Sequence, residues 1–167
     1  NKDVLVGANT NPDSYGTDFF KCTFWVKFRD RLNGVDFYCF NIHYPVRTPC
    51  ARDAYSLVLL EYIHKNCEGL PVVITGDFNC TEDVYAYRCL HDSVILDDTM
   101  LALPEEQRKN WIYFSVDGFR RKEEIRKWRI HYDHIFYTPS YMDVLDWELD
   151  IDTVHDGKFA SDHLPVS

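Results

Sequence analysis

The chain has 167 residues, with 18 Lys and Arg against 27 Asp and Glu, and 46% of its residues are hydrophobic. This length is enough for one domain with a sizeable core and too short for two ordinary domains. The apolar content excludes an intrinsically disordered chain, and no apolar run approaches the roughly twenty residues that cross a membrane. A net charge of −9 argues against a protein that coats nucleic acid over its whole surface.

The first half of the chain predicts a loop, a hairpin and a helix. Residues 1–19 are polar and rich in turn-forming residues, which predicts a loop. Residues 22–28 and 35–43 are rich in aromatic and β-branched residues and flank an Asn-Gly turn at 33–34, a pattern typical of an antiparallel hairpin. Apolar residues at helical spacing then predict a helix over 51–66. These residues are Ala54, Leu57, Val58 and Tyr62.

The second half of the chain mixes strands with one short helix. The β-branched run at 71–75 predicts a buried strand, followed by a loop at 76–81 and a short helix at 83–91. Further strands are predicted at 111–115, 132–137 and 144–149. This order of hairpins and helical crossovers predicts an α/β (α+β) fold, in which a sandwich of sheets is flanked by helices.

The tetrapeptide Gly-Asp-Phe-Asn at 76–79 follows the buried strand. Gly76 lets the backbone turn at the sheet edge, and Asp77 and Asn79 are two residues apart, so their side chains can point to the same side. A carboxylate beside a carboxamide suits phosphate hydrolysis, because one accepts a proton from water and the other donates to a phosphoryl oxygen. The alternative interpretation is a polar turn whose side chains bond local amides.

Two acidic residues and a histidine in the C-terminal part form a second set of candidates. Asp133 lies in an otherwise apolar strand, where an unpaired carboxylate is costly, so it requires a partner. We expect His163 to be that partner, because a carboxylate on one ring nitrogen fixes the tautomer and leaves the other nitrogen for substrate. Asp162, next to it, can hold a hard cation through oxygen. The alternative interpretation of 161–166 is a surface loop.

Asn41 and His43 lie two residues apart at the end of the second hairpin strand. They share one face of that strand and interrupt an apolar segment where the strand leaves the sheet. This position favours a role at a site, and the alternative is a structural histidine.

The motifs at 41–43, 76–79, 133–136 and 161–163 occur in an order and at a spacing that resemble the endonuclease/exonuclease/phosphatase superfamily. The resemblance runs from about residue 20 to the end of the chain. It implies the deoxyribonuclease-I-like fold, a four-layer sandwich of two mixed β-sheets flanked by helices. Here that fold would be incomplete at its N-terminus within a single domain over 1–167.

The resemblance also implies a role for each candidate. Asp77 is expected to orient or deprotonate the attacking water, and Asn79 to bind the phosphate beside it. His163 is expected to contact the scissile phosphate and to be held by Asp133. His43 resembles the second histidine, which flanks the phosphate or assists the leaving group.

Asp162 resembles a metal ligand, and the implied cofactor is Mg²⁺ or Mn²⁺, whose charge would stabilise the developing oxyanion. The chain departs from the family in one respect. The principal metal ligand of the family is a glutamate from the first strands, and residues 1–19 offer no strand that carries a Glu. We therefore expect a missing N-terminal segment, or a second chain, to complete the sandwich.

A basic stretch at 120–129 has a local charge of +4, since six cations stand against two acids. Cations near the mouth of a phosphate site would contact flanking phosphates, and an aromatic ring among them could stack on a base. The substrate-binding candidates are Asn41, Arg120, Arg121, Arg126 and Trp128. The alternative is a solvated surface segment whose Trp lies in the core.

Together these features predict a metal-dependent phosphoesterase that cleaves a phosphodiester, with nucleic acid as one possible substrate. Two alternatives stay open: a metal-dependent phosphomonoesterase, and a non-catalytic fragment or pseudoenzyme that binds a partner. The sequence Asn79-Cys80-Thr81 is a formal glycosylation acceptor. A glycan on Asn79 would block the predicted site, which favours a cytoplasmic location.

Overall fold

The computed structural model describes residues 4–6 and 22–167, apart from residue 68. The fold is mixed α/β, and these residues form two sheets and two α-helices. The strands and helices in chain order are β1 (Val4–Val6), β2 (Cys22–Arg29), β3 (Asp36–His43), α1 (Pro49–Asn66), β4 (Val72–Asp77), α2 (Tyr85–His91), β5 (Asp97–Asp98), β6 (Arg108–Lys109), β7 (Asp133–Tyr137) and β8 (Trp147–Glu148). The larger sheet has the order β1-β2-β3-β4-β7-β5, and the smaller one pairs β6 with β8.

The predicted hairpin is confirmed, because β2 and β3 pair antiparallel with Arg29 opposite Asp36. Strand β1 adds to its outer edge, where Val4 lies opposite Phe24. The prediction of a loop over 1–19 is therefore wrong at residues 4–6. Pairing with β2 satisfies the backbone of this three-residue segment, and so short a run gives no periodic signal in the sequence. The other positions of that range lie outside the described residues.

Strand β4 lies parallel to β3 and continues further than predicted. Gly76 and Asp77 are its last two residues, opposite Ile42 and His43, so the predicted loop at 76–81 begins two residues too early. A Cβ on Gly76 would lie 2.0 Å from the carbonyl oxygen of Ile42, and its φ of 141° favours glycine. The glycine thus permits the close approach that carries Asp77 to the edge of the sheet.

Helix α1 begins at Pro49, a residue favoured in the first helical turn, and packs on the sheet. Its buried apolar positions are Ala51, Tyr55, Leu59 and Ile63, which follow one another at every fourth residue. The apolar face predicted from the sequence lies beside this buried row and not on it. Leu57, which belongs to the predicted face, is 51% exposed. The helix carries more apolar residues than its buried face can cover, so spacing alone did not identify the face that is buried.

The prediction of a strand at 111–115 is wrong. The backbone there bonds irregularly to the basic stretch and to the residue after it, with Phe114 N–H donating to the Arg126 carbonyl and Ser115 N–H to the Ile130 carbonyl. The short β6 forms before it, and β8 covers only residues 147–148 of the predicted 144–149 strand. The smaller sheet is parallel rather than mixed, although an antiparallel bridge joins Leu149 to Val166 beside it.

Two apolar cores hold these elements together. The first lies between the larger sheet and both helices; its fully buried members include Phe40, Ile74, Phe78, Leu90 and Phe136. The second is formed by β8 and the surrounding loops; its members include Met100, Ile125, Trp147, Leu149 and Leu164. Burying each such side chain contributes about 1.5–3 kcal/mol. Within the described part of the chain, no helix has the length and apolarity needed to cross a membrane.

Candidate active site

Three neighbouring strands of the larger sheet end at one point and bring three candidate side chains into a row. His43 at the end of β3 lies opposite Asp77 at the end of β4, and Asp77 lies opposite Asp133 at the start of β7. Ile42, which precedes His43, and Ile74, three residues before Asp77, are buried in the core on the helix side of the sheet. Because side chains alternate along a strand, the row lies on the face of the sheet opposite the helices.

His163 joins this row from the C-terminal loop. Its Nδ1 lies 2.7 Å from the Asp133 carboxylate, and its Nε2 lies 3.9 Å from the Asp77 carboxylate. The structure thus brings together the two side chains that the sequence analysis paired. The hydrogen bond with Asp133, more than the opposing burial, raises the pKa of His163 above its ordinary value. With Nδ1 committed to Asp133, Nε2 is the nitrogen that can face a substrate.

Asp77 is held by Asn79 through both carboxylate oxygens. The backbone N–H of Asn79 donates to Oδ1 at 2.8 Å, and its side-chain Nδ2 donates to Oδ2 at 3.0 Å. The second hydrogen of Nδ2 is directed to the Tyr44 carbonyl at 2.8 Å. This tight turn places Asn79 in the left-handed region with φ 49°, which Asn tolerates better than most residues. Asn79 therefore orients Asp77 here, and its direct contact with phosphate stays a prediction.

The environment of Asp77 makes its carboxylate a stronger base. Burial raises the pKa of Asp77, and the neighbouring charge of Asp133 raises it further, against the bond from the Asn79 backbone and the two histidines. The Nε2 of His43 lies 3.4 Å from Asp77 on the other side. A carboxylate with a raised pKa between two histidines is an arrangement that can move protons.

The remaining predicted residues lie around this cluster. The carboxylate of Asp162 accepts a hydrogen bond from the Ser161 hydroxyl at 3.2 Å. Asn41 lies two residues before His43 on the same face, and its Oδ1 lies 3.4 Å from the Thr75 hydroxyl. A cavity of about 330 Å³ beside the cluster is lined by Asp133 and His163, among others.

The basic stretch is partly engaged within the protein. Arg126 donates to the 3% exposed Asp117 and lies 3.7 Å from the ring centre of Trp128, which is half exposed. Arg120 also donates to Asp117, at 3.0 Å. Arg121 is exposed. The substrate-binding roles of these residues stay predictions, and Arg121 is the arginine among them without a salt bridge in the described part of the chain.

Sequence analysis missed a buried network behind the site. His134 follows Asp133 and faces the helix side, where Nδ1 lies 3.1 Å from the Asp98 carboxylate and Nε2 lies 3.1 Å from the Cys80 carbonyl. The Tyr87 hydroxyl donates to the same Asp98 oxygen at 2.8 Å. The network fixes the backbone next to Asn79. Alternation along β7 could have directed attention to His134, but nothing local identifies Asp98 as its partner.

The donor chemistry of the site is compatible with a hard cation. Ligand atoms of Asp77, Asp133 and His163 lie within 4.8 Å of one another. The Nδ1 of His163 is engaged in a hydrogen bond with Asp133, and the carboxylate oxygens are the donors that Mg²⁺ and Mn²⁺ prefer. A cation would also offset the repulsion between the two adjacent carboxylates.

A family model described as Endonuclease/Exonuclease/phosphatase family matches residues 4–163. The match begins in β1, so the expectation that the resemblance starts near residue 20 is corrected. Members of this superfamily are hydrolases that act on phosphoesters and are generally dependent on divalent metals. No curated protein matches the chain.

Solved structures show the same fold. The chain is similar to a Bacteroides thetaiotaomicron mannosyl-6-phosphatase with a TM-score of 0.82 and 22% identity, covering 99% of this chain and 64% of that one. An endonuclease/exonuclease/phosphatase from Bacteroides vulgatus has a TM-score of 0.77 and 26% identity, and the match covers 99% of this chain and 62% of that one. D. rerio TDP2 complexed with single strand DNA product has a TM-score of 0.68 and 15% identity, with coverages of 99% and 65%. The chain spans less than two thirds of each of these structures.

Proposed function

This chain belongs to the endonuclease/exonuclease/phosphatase family, and from that premise we propose that it hydrolyses a phosphodiester with the help of a divalent metal ion. The observation that carries the proposal is the meeting of Asp77, Asp133 and His163 at one edge of the sheet. Three separate segments of the chain supply these residues, and the cluster combines a base with an acid.

Asp77 acts as the base that activates water. Its two oxygens are fixed by Asn79, and its raised pKa increases its affinity for the proton of an approaching water molecule. Fixing the carboxylate in advance reduces the entropy lost when water and phosphate align.

His163 acts on the phosphate. Its Nδ1–H donates to Asp133, and the raised pKa favours the imidazolium, so Nε2–H can donate to a phosphoryl oxygen as negative charge develops there. His43 lies on the other side of Asp77, with its Nε2 3.4 Å from that carboxylate, and in this proposal it assists the leaving group. Its role is thus complementary to that of His163.

Asp162 would hold the metal ion, as the family resemblance implies, with the oxygen of Asp133 that does not bond His163 as a second donor. Bound there, Mg²⁺ or Mn²⁺ would supply positive charge that stabilises the phosphate during hydrolysis. The family resemblance implies a glutamate ligand as well, and we propose that a further segment or a second chain supplies it.

Two observations bear on the kind of ester. The exposed cations before β7 favour a diester flanked by further phosphates, and one similar structure, that of D. rerio TDP2, is complexed with single strand DNA product. The name of the mannosyl-6-phosphatase favours a phosphomonoester as the second candidate. We favour the diester because a small sugar monoester would leave the basic stretch unused.

Turnover of a chromogenic phosphodiester, a chromogenic monoester and single-stranded DNA with Mg²⁺ or Mn²⁺ tests the proposal. The wild type should cleave the diester and the DNA faster than the monoester, and Asp77→Asn should lower the rate about 10²-fold or more. Asp146→Asn, the same change at an exposed site, is the matched control. Equal rates for Asp77→Asn and wild type would remove the mechanism, and faster monoester turnover would favour the second candidate.

A further inference from the structure

A cleft of about 860 Å³ lies between the 118–123 segment and the turn at 154–159. Its lining combines exposed cations with aromatic rings. Phe119 is 88% exposed, and Phe159 packs half-buried against the second core. An exposed aromatic ring at the rim of a cleft provides a flat apolar surface at which a planar ligand can stack.

The cations of the cleft outnumber its acids by four to two. Arg120 and Lys122 are paired with Asp117 and Asp152. Arg121 and Lys158 are exposed and have no salt bridge among the residues that the structure describes. Arg121 and Lys158 therefore remain available to contact phosphate groups directly.

The cleft adjoins the candidate active site through Gly118. The Gly118 N–H donates to the Asp162 carbonyl at 2.9 Å. A Cβ on Gly118 would lie 1.9 Å from the Ser161 carbonyl oxygen, so the two backbones touch directly. The wall of the cleft is therefore in contact with the loop that carries His163, so the cleft lies next to the candidate active site.

We infer that this cleft binds a nucleotide of single-stranded nucleic acid that flanks the scissile phosphate. The base stacks on Phe119, and Arg121 and Lys158 contact the phosphates on either side of it. A phosphorylated sugar would contact the same cations, but it has no planar base that could stack on Phe119. The link to a scissile phosphate rests on the proposed function, whereas binding in the cleft does not require hydrolysis.

Fluorescence anisotropy of a short labelled oligodeoxythymidylate in EDTA measures this binding without turnover. In the double variant Arg121→Gln/Lys158→Gln, the slope of log K against log salt should become shallower by about 1.4, since each phosphate contact on a single strand contributes about 0.7. The control Arg31→Gln/Lys65→Gln removes the same charge elsewhere on the exposed surface and should leave the slope unchanged.

The aromatic contact has its own variant. Phe119→Ala should weaken binding roughly 5- to 150-fold with an unchanged salt slope, because stacking does not involve counterion release. Leu145→Ala removes another highly exposed apolar side chain and should bind like the wild type. Thermal melting confirms that all variants are folded, as expected for surface changes.

Absence of oligonucleotide binding by the wild type would overturn the inference. So would Arg121→Gln/Lys158→Gln and Phe119→Ala variants that bind with wild-type affinity and slope. These binding results are distinguishable from failure of the proposed function, which is tested separately by the turnover of phosphodiesters in the wild type and in Asp77→Asn.

Discussion

Replacing His134 by Phe tests whether the network behind the site is a buried ion pair. The Nδ1 and Nε2 of His134 face a carboxylate and a carbonyl, both acceptors, so both nitrogens must carry hydrogen and the ring is cationic. Burial lowers the pKa of His134, but Asp98 outweighs it and the pKa is raised. Burial likewise raises the pKa of Asp98, and the bond with His134 reverses this to a net lowering.

The size of the expected loss of stability follows from the burial of the pair. Asp98 is 1% exposed, so among the described residues His134→Phe leaves this buried carboxylate with the Tyr87 hydroxyl and the Met100 N–H as its donors. Removing one partner of such a pair costs about 3–5 kcal/mol. At about 2–4 °C per kcal/mol for a chain of this size, the melting temperature should fall by roughly 6–20 °C.

The stability lost in His134→Phe should depend on pH, and the directions of the two pKa shifts determine how. The contribution of His134, whose pKa is raised on folding, is complete below its unfolded pKa and is lost as pH rises through the folded value. The contribution of Asp98, whose pKa is lowered, is complete above its unfolded pKa and is lost as pH falls through the folded value. The difference in melting temperature between wild type and variant should therefore be largest at pH values above the unfolded pKa of Asp98 and below the unfolded pKa of His134.

Calorimetry or circular dichroism across pH provides the assay, with His64→Phe on the exposed side of α1 as the control. The control should stay within about 0.5 kcal/mol of the wild type. A His134→Phe variant as stable as that control at neutral pH, or a loss that is independent of pH, would refute the ion-pair interpretation.

Three further predictions concern the site. Asp133→Asn should lower kcat about 10²-fold or more. It should also move the alkaline limb of the pH–rate profile to lower pH, because Asp133 raises the pKa of His163. An alkaline limb at the wild-type pH would contradict this. Gly76→Ala should destabilise the fold by roughly 1–3 kcal/mol or more in urea titrations, given its φ and the contact with Ile42, and wild-type stability would disprove the strand geometry. Removing divalent metal with EDTA should abolish turnover and adding Mg²⁺ or Mn²⁺ should restore it, whereas full activity in EDTA would exclude the proposed metal role.

The sequence was informative where a motif is local or where the chemistry of a residue requires a partner. The hairpin and the strand before Asp77 follow from β-branched runs and a turn, and the pairing of His163 with Asp133 follows from the cost of an unpaired carboxylate in an apolar strand. These interpretations depend on residues whose chemistry demands a partner.

Other features depend on long-range contacts that no short segment encodes. The segment at 111–115 has β-forming residues, but its backbone bonds to the basic stretch instead of forming a strand. Burial of α1 is decided by the sheet beneath it, so Leu57 is half exposed despite its helical spacing. The partnership of Asp98 with His134 links β5 to β7, and only the folded sheet brings them together.

Hydrolysis of a phosphodiester in ¹⁸O-labelled water examines the central claim most directly, because Asp77 is proposed to direct water at phosphorus. With Mg²⁺ or Mn²⁺, the wild type should place the label in the phosphate-bearing product and none in the released alcohol, and Asp77→Asn should incorporate it far more slowly. Label in the alcohol, or incorporation at the wild-type rate by Asp77→Asn, would contradict the account.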